Sequence, residues 1–234
     1  MSDYDLTVVV PAYNEHEILA TTVRAIVSGL RARGFTFEVI IVENGSTDST
    51  LPIAEELQRV HREVRVEHRP DANYGAALRH GLLEARGDWI ANFDCDYYDL
   101  DFLDRALQRL RGNDALAIVV GSKRADGARD ERAWPRRLVT AVFSTILRVG
   151  FHLQVSDTHG MKVLRRAAVE PHARACTLGR DLFDTELILR VERAGLPTAE
   201  IPVAVHELRP ARTSIARRVP RTLVGLVRLR WALR

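Results

Sequence analysis

The chain has 234 residues, 46% apolar and 28% charged, which excludes a disordered or collagen-like polypeptide and leaves room for one sizeable core. Two isolated cysteines, Cys95 and Cys176, exclude a disulfide framework and a cysteine-based zinc site, and point to a reduced, cytoplasmic setting. The net charge of +3 hides an asymmetry: residues 1–110 carry 19 acids against 11 bases, and residues 111–234 carry 12 against 23, so a cation is expected in the first half and phosphates or an anionic surface in the second.

In chain order, the acidic opening predicts no signal peptide. Residues 6–11 form a continuous β-branched run ending in Pro11, read as a buried parallel strand. Residues 15–33 carry apolar side chains at a helical period, closed by Gly34. A second strand spans 37–42, Ser46-Thr-Asp caps a helix running to about Val60, and a short strand covers 64–68. Residues 73–85 are helical, 89–93 a strand, 100–110 a helix and 116–121 a strand. The second half is less regular, with helical segments at 135–151 and 181–194 and a strand near 199–205. Residues 219–234 form an amphipathic helix whose apolar face Arg230 interrupts. No stretch approaches the roughly 20 apolar residues of a membrane span. Strand–helix alternation predicts a mostly parallel α/β sheet covered on both faces, with ligands at the strands' carboxyl ends. We expect a main domain over 1–214 and a basic amphipathic helix over 215–234.

The unusual polar residues all follow strands. They are Pro11-Ala-Tyr-Asn-Glu15, Glu43-Asn-Gly-Ser-Thr-Asp48 and Asp94-Cys-Asp96. Two carboxylates one residue apart at a strand end suit a hard cation that also takes diphosphate oxygens. Cys95 between them is expected to pack inward. After Glu207 there is no acid, while eight arginines follow. That tail has no interleaved aromatics and no nucleic-acid-binding signature, so no nucleic acid partner is expected.

Val8-Val-Val-Pro-Ala-Tyr-Asn-Glu15, Val42-Glu-Asn-Gly-Ser-Thr-Asp-Ser-Thr50, Asn73-Tyr-Gly-Ala-Ala-Leu and Phe93-Asp-Cys-Asp96, in this order, resemble the family 2 glycosyltransferases of GT-A fold. Gly121-Ser-Lys-Arg124, Asp157-Thr-His-Gly-Met-Lys162, Phe183-Asp-Thr-Glu186 and Glu200-Ile-Pro-Val203 resemble the dolichyl-phosphate mannose synthase branch. The resemblance implies a metal-dependent, inverting transfer of a sugar from GDP-mannose or a UDP-sugar to a polyprenyl-phosphate-type acceptor. It implies that Pro11, Tyr13 and Glu15 hold the base and ribose beside Glu43, with Asn44, Asn73 and Ala76 in the same donor site. Asp94 and Asp96 would bind Mg²⁺ or Mn²⁺ and the diphosphate. Arg124, Arg136, Thr140, Arg209 and Ser214 match positions that hold phosphates of donor and acceptor, and Lys162 would supplement them. Asp96, Arg124, Asp184 and Glu186 are the expected catalytic residues.

An alcohol acceptor must lose a proton, whereas a phosphate monoester is already anionic and needs only orientation. Asp184 and Glu186 are therefore base candidates for an alcohol, and otherwise orient the sugar or an arginine. Three departures from the family pattern stand out: Glu43-Asn44 for Asp-Asp, Tyr97-Tyr98 for Leu-Gln, and Arg212-Thr-Ser214-Ile215 for Gly-x-Ser-Lys. Water or Asp99 is expected to replace the missing metal-assisting Gln. His159 reads as structural or substrate-contacting, and His206 as a plain polar contact. The segments 135–151 and 219–234 favour peripheral contact with an anionic membrane at the inner face of the cell. The rival readings are a soluble family 2 enzyme acting on a hydroxyl, and a non-catalytic scaffold that binds sugar nucleotides.

Overall fold

The structure, a computed structural model, describes residues 3–125, 129–130, 134–205 and 215–233; among these, the side chains of 129–130, 134–140, 181, 205 and 215–223 are not described. The first half builds strands from continuous apolar runs. β1 (Tyr4–Ala12), β2 (Phe37–Asn44), β3 (Val64–Arg69) and β4 (Gly87–Asn92) alternate with α1 (Leu19–Ala32), α2 (Thr50–Val60) and α3 (Tyr74–Glu84). Then follow α4 (Leu100–Arg111), β5 (Ile118–Ser122), β6 (Arg129–Asp130) and α5 (Trp134–Phe151). The chain continues through β7 (Lys162–Arg165), α6 (Arg166–Ala175), a 3-10 turn at Arg180–Leu182 and α7 (Phe183–Arg193), and ends with β8 (Thr198–Pro202), β9 (Ala204–Val205) and α8 (Ile215–Ala232).

The main sheet has the order β3-β2-β1-β4-β7-β5-β8, and β6 pairs with β9 apart from it. β1 to β4 are mutually parallel, β7 runs antiparallel to both β4 and β5, and β8 is parallel to β5. Alternation along each strand serves two cores. Leu6, Val8 and Val10 of β1 and Val39 and Ile41 of β2 face α1, α2 and α4. Val9, Ile40 and Val42 face the other way, onto α3, α6, α7 and the buried side of α8. Both faces of β1 and β2 are therefore dry, which is why these strands read as unbroken apolar runs.

Strand order grows outward from β1 through β2 to β3 and then returns to β4 on the other side of β1. That reversal is a topological switch point, where the loops after β1 and β4 diverge and leave a crevice. Three elements were not anticipated: the two-residue β6, β7 and α6. β7 carries a lysine at a position 1% exposed, and α6 contains Pro171, so neither shows the apolar periodicity of its class. The expected strand near 199–205 is divided into β8 and β9. The helix expected from Glu15 begins at Leu19, and Glu15 instead closes a turn by accepting the amides of Ile18 and Leu19.

Candidate functional site

The loops after β1 and β2 are laced together. Asn14, at φ 55°, donates its amide to Ser46 Oγ (3.0 Å) and accepts the Thr47 amide at its side-chain oxygen (2.8 Å). The Glu15 amide donates to Thr50 Oγ1 (2.8 Å). Ahead of α2, whose N-cap is Ser49, Asp48 Oδ1 accepts the Thr50 amide and hydroxyl. Tyr13 stands exposed above this loop and Pro11 is buried below it.

Glu43 is 1% exposed. Its Oε1 accepts the Ser46 amide (2.6 Å) and its Oε2 pairs with His68 Nδ1 (2.6 Å). Burial pushes its carboxyl up, but the hydrogen bonds from Ser46 and His68 more than offset this and hold it below the usual carboxylate range. Asn44, beside it, is also buried. Asn73 caps α3 by accepting the Ala76 amide (3.1 Å), and the same oxygen accepts the Arg180 amide (2.7 Å), tying α3 to the turn before α7.

Asp94 lies at the end of β4, half-buried, with Asp96 exposed beyond it. The Tyr74 hydroxyl donates to Asp94 Oδ1 (2.9 Å). Burial raises the Asp94 carboxyl to about 6, with the neighbouring charges of Asp96 and Asp184 adding to the rise and Tyr74 and Lys162 opposing it. Behind it, Lys162 Nζ pairs with Asp184 Oδ1 at 2.8 Å and donates to the Gly160 carbonyl at 2.7 Å. Both side chains are almost wholly buried, so Lys162 is an internal counter-charge rather than the phosphate ligand expected from the sequence.

Glu186 faces elsewhere. Fully buried, it accepts the amides of Thr177 and Leu178 and both Nε and Nη2 of Arg190, which itself donates to the Ala232 carbonyl of α8. Residues two apart on a helix point to different sides, and that spacing was the signal that Asp184 and Glu186 do not share a site. Asp99, expected to assist a metal, is the N-cap of α4 and accepts the amides of Asp101 and Phe102. Tyr97 donates to the Ala204 carbonyl, and Tyr98 packs on Phe93. Cys95 is buried in the core, and His159 lies against the Phe143 ring.

The fold thus gathers Tyr13, Glu15, Glu43, Asn44, Asn73, Ala76, Asp94 and Asp96 at the carboxyl ends of β1, β2 and β4 and the start of α3. Arg124 is exposed just past β5. Arg136 and Thr140 lie on α5 with side chains outside the description, and Arg209, Ser214 and His206 lie outside the described residues. The Asp94–Asp96 pair sets two carboxylates one residue apart just past the carboxyl end of β4. Among the described residues no group of three His, Cys, Asp or Glu side chains could hold a metal.

This architecture is the GT-A fold of nucleotide-sugar-dependent glycosyltransferases. The chain superposes over 93% of its length on the mannosyltransferase PcManGT from Pyrobaculum calidifontis, solved with GDP-Man and Mn²⁺, with a TM-score of 0.64, 22% identity and 61% of that chain covered. It superposes over 95% on glucosyl-3-phosphoglycerate synthase from Mycobacterium tuberculosis, solved with Mn²⁺, UDP and phosphoglyceric acid, with a TM-score of 0.65, 22% identity and 78% coverage. Residues 7–172 match the glycosyl transferase family 2 model, and the chain belongs to that family. It is 32% identical over 228 residues to the dolichyl-phosphate beta-glucosyltransferase of Drosophila melanogaster, covering 87% of this chain and 68% of the relative. It is 31% identical over 204 residues to glycosyltransferase AglD of Haloferax volcanii, covering 85% of this chain but spanning only 32% of AglD.

Proposed function

We propose that the protein transfers a sugar from a nucleoside-diphosphate sugar to a polyprenyl-phosphate-type acceptor, with inversion. The observation that carries this reading is the state of the two carboxylates expected to serve as bases. Asp184 is paired with the buried Lys162, and Glu186 accepts five hydrogen bonds. Neither is placed to take a proton from an alcohol. A phosphate monoester needs none removed. Its oxygen forms the new bond to the anomeric carbon while the bond to the nucleoside diphosphate breaks, and the electron pair leaves with the diphosphate. The relatives named as dolichyl-phosphate glucosyltransferases support the same acceptor class.

Asp94 and Asp96 would hold Mg²⁺ or Mn²⁺, which when bound neutralises charge on the departing diphosphate. Pro11, Tyr13, Glu15, Glu43, Asn44, Asn73 and Ala76 form the donor side. Arg124, with Arg136, Thr140, Arg209 and Ser214, forms the phosphate side, arginine being suited to bidentate contact with phosphate. Asp184 serves here to position the site through Lys162.

The acceptor's lipid implies a surface to meet it. Val142, Ile146 and Val149 on α5 and Val224, Val227 and Trp231 on α8 are exposed, although each helix also buries leucines in the core. Arg230 of α8 donates to the Gly150 carbonyl, so the two helix ends lie together, with exposed Arg148 and Arg228 nearby in sequence. Apolar stripes edged by arginines match an anionic membrane surface.

The test is a labelled-sugar transfer assay with UDP- and GDP-sugars, a short polyprenyl phosphate and Mn²⁺. Label should enter the organic phase and vanish in Asp96→Ala. Transfer only to hydroxyl acceptors would overturn the acceptor assignment, and sugar-nucleotide binding without any transfer would favour the scaffold reading.

A further inference from the structure

The Glu200-Ile-Pro-Val segment takes no part in the reaction above, yet Glu200 is the end point of a directed chain of hydrogen bonds. Glu200 stands on β8 opposite Val120 of β5. Its Oε1 accepts three donors: the Ser156 amide (2.6 Å), the Ser156 hydroxyl (2.8 Å) and the Asp157 amide (3.2 Å). A carboxylate only accepts, and a serine hydroxyl has one proton. With that proton given to Glu200, Ser156 Oγ must accept from Ser122 Oγ, which lies 2.9 Å away. Ser122, fully buried at the end of β5, is then left with lone pairs for the amides of Arg124 and Ala125, each at 3.1 Å. Every donor in the series points toward the one carboxylate.

The same oxygen governs the facing strand of chain. Asp157, whose amide it binds, accepts the His159 amide at Oδ1 (3.0 Å) and turns Oδ2 toward Lys123 Nζ at 3.9 Å. The Ser144 hydroxyl of α5 adds a bond to the Ser156 carbonyl (2.7 Å). Two segments far apart in sequence, 122–125 and 156–159, are thus set against each other around Glu200.

We propose that Glu200 is a positioning residue for the anion-binding turn 122–125, acting through Ser156 and Ser122 to fix the backbone from which Lys123 and Arg124 project. This rests on the reading that Arg124 contacts a phosphate of donor or acceptor. Part-buried networks of this kind hold one geometry while every member is satisfied and loosen when an acceptor is removed. Glu200→Gln keeps an accepting oxygen at the focal point, whereas Glu200→Ala removes it.

The full chain is compared with Glu200→Ala, Glu200→Gln, Arg124→Ala and the double variant Glu200→Ala/Arg124→Ala. Hydrogen exchange at the Arg124 and Ala125 amides is read by NMR, and acceptor KM and kcat are read with a short polyprenyl phosphate. Glu200→Ala should speed exchange at those two amides and raise acceptor KM about tenfold with a smaller change in kcat. Glu200→Gln should restore most of both. The double variant should be no worse than Arg124→Ala alone, because both changes act on one contact. Unchanged exchange at Arg124 and Ala125, or KM effects that multiply in the double variant, would overturn the proposal. Absence of lipid-phosphate transfer by the unmodified chain would instead defeat the acceptor assignment, and the exchange rates still decide the role of Glu200. If Glu200→Ala fails to fold, Glu200→Gln and Glu200→Asp carry the comparison: the aspartate, one methylene shorter, should leave the two amides faster-exchanging than the glutamine does.

Discussion

Asp94 meets two opposed demands, since the fold places it among other acids while the proposed cation-binding role needs it ionised. Its carboxyl is raised to about 6, first by burial, against an ordinary 3.8 in the unfolded chain. A raised folded value means that the native state holds the extra proton. The stabilisation is complete below about pH 4 and is lost as the pH rises through about 6. In metal-free protein, Asp94→Asn should therefore be more stable than the unmodified chain at pH 7.5 by about 2–3 kcal/mol, with the gap closing toward pH 4. Urea midpoints in chelator across that range measure it, and a gap independent of pH would contradict it. Lys162 makes the complementary case. Removing one partner of a buried ion pair strands the other, so Lys162→Met should cost about 3–5 kcal/mol. Lys162→Met/Asp184→Asn should regain most of that, as read by the same denaturation curves.

At the scale of elements, one carboxylate fastens two helices and the loop between α6 and the 3-10 turn. Glu186 on α7 holds the amides at 177–178, and through Arg190 it reaches the last turn of α8. Glu186→Gln is expected to lower stability by about 1–3 kcal/mol, because an amide cannot satisfy all of these donors. It should leave kcat within about threefold of the unmodified enzyme. A large fall in kcat with stability intact would restore the role of a base. The sequence made the parallel half legible, strand by strand, because β1 and β2 are buried on both faces and carry runs of Val and Ile at their centres. β7 escaped because a strand of four residues that begins with lysine and ends with arginine carries no apolar pattern. The lysine is tolerable only because Asp184 lies across from it, and no spacing rule links residues on a strand and a later helix. For the site, the strand-end loops were readable as motifs. The direction of Asp99, the burial of Lys162 and the Glu200 network are facts of packing that motif positions do not encode.

Across the whole molecule, charge is divided: acids collect around the first four strands and arginines toward the carboxyl terminus. The two helices with exposed apolar stripes belong to the basic half. No helix among the described residues is long and apolar enough to cross a bilayer. On the membrane-contact reading proposed above, attachment by these stripes would be sensitive to salt. Flotation with vesicles containing anionic lipid should recover the protein at low salt and lose it as salt is raised. Val149→Glu/Val227→Glu should abolish flotation without shifting the melting temperature by more than a few degrees, since both side chains already face solvent. Binding that is indifferent to both changes would place the contact elsewhere.

The antiparallel strand β7 has a further consequence, for synthesis. When β1 to β5 have left the ribosome, β4 and β5 cannot pair, because the place between them belongs to residues not yet made. At about 5–20 residues per second, the 40 or so residues from the end of β5 to β7 take roughly 2–8 s to appear. During that interval the outer edge of β4, which leads directly to Asp94, has its hydrogen-bonding groups open to any passing strand. The edge beside Asp94 thus closes only once residues 162–165 have been made, with β8 joining the far side of β5 later still, and a chain cut short before residue 162 would keep that edge open next to the candidate site.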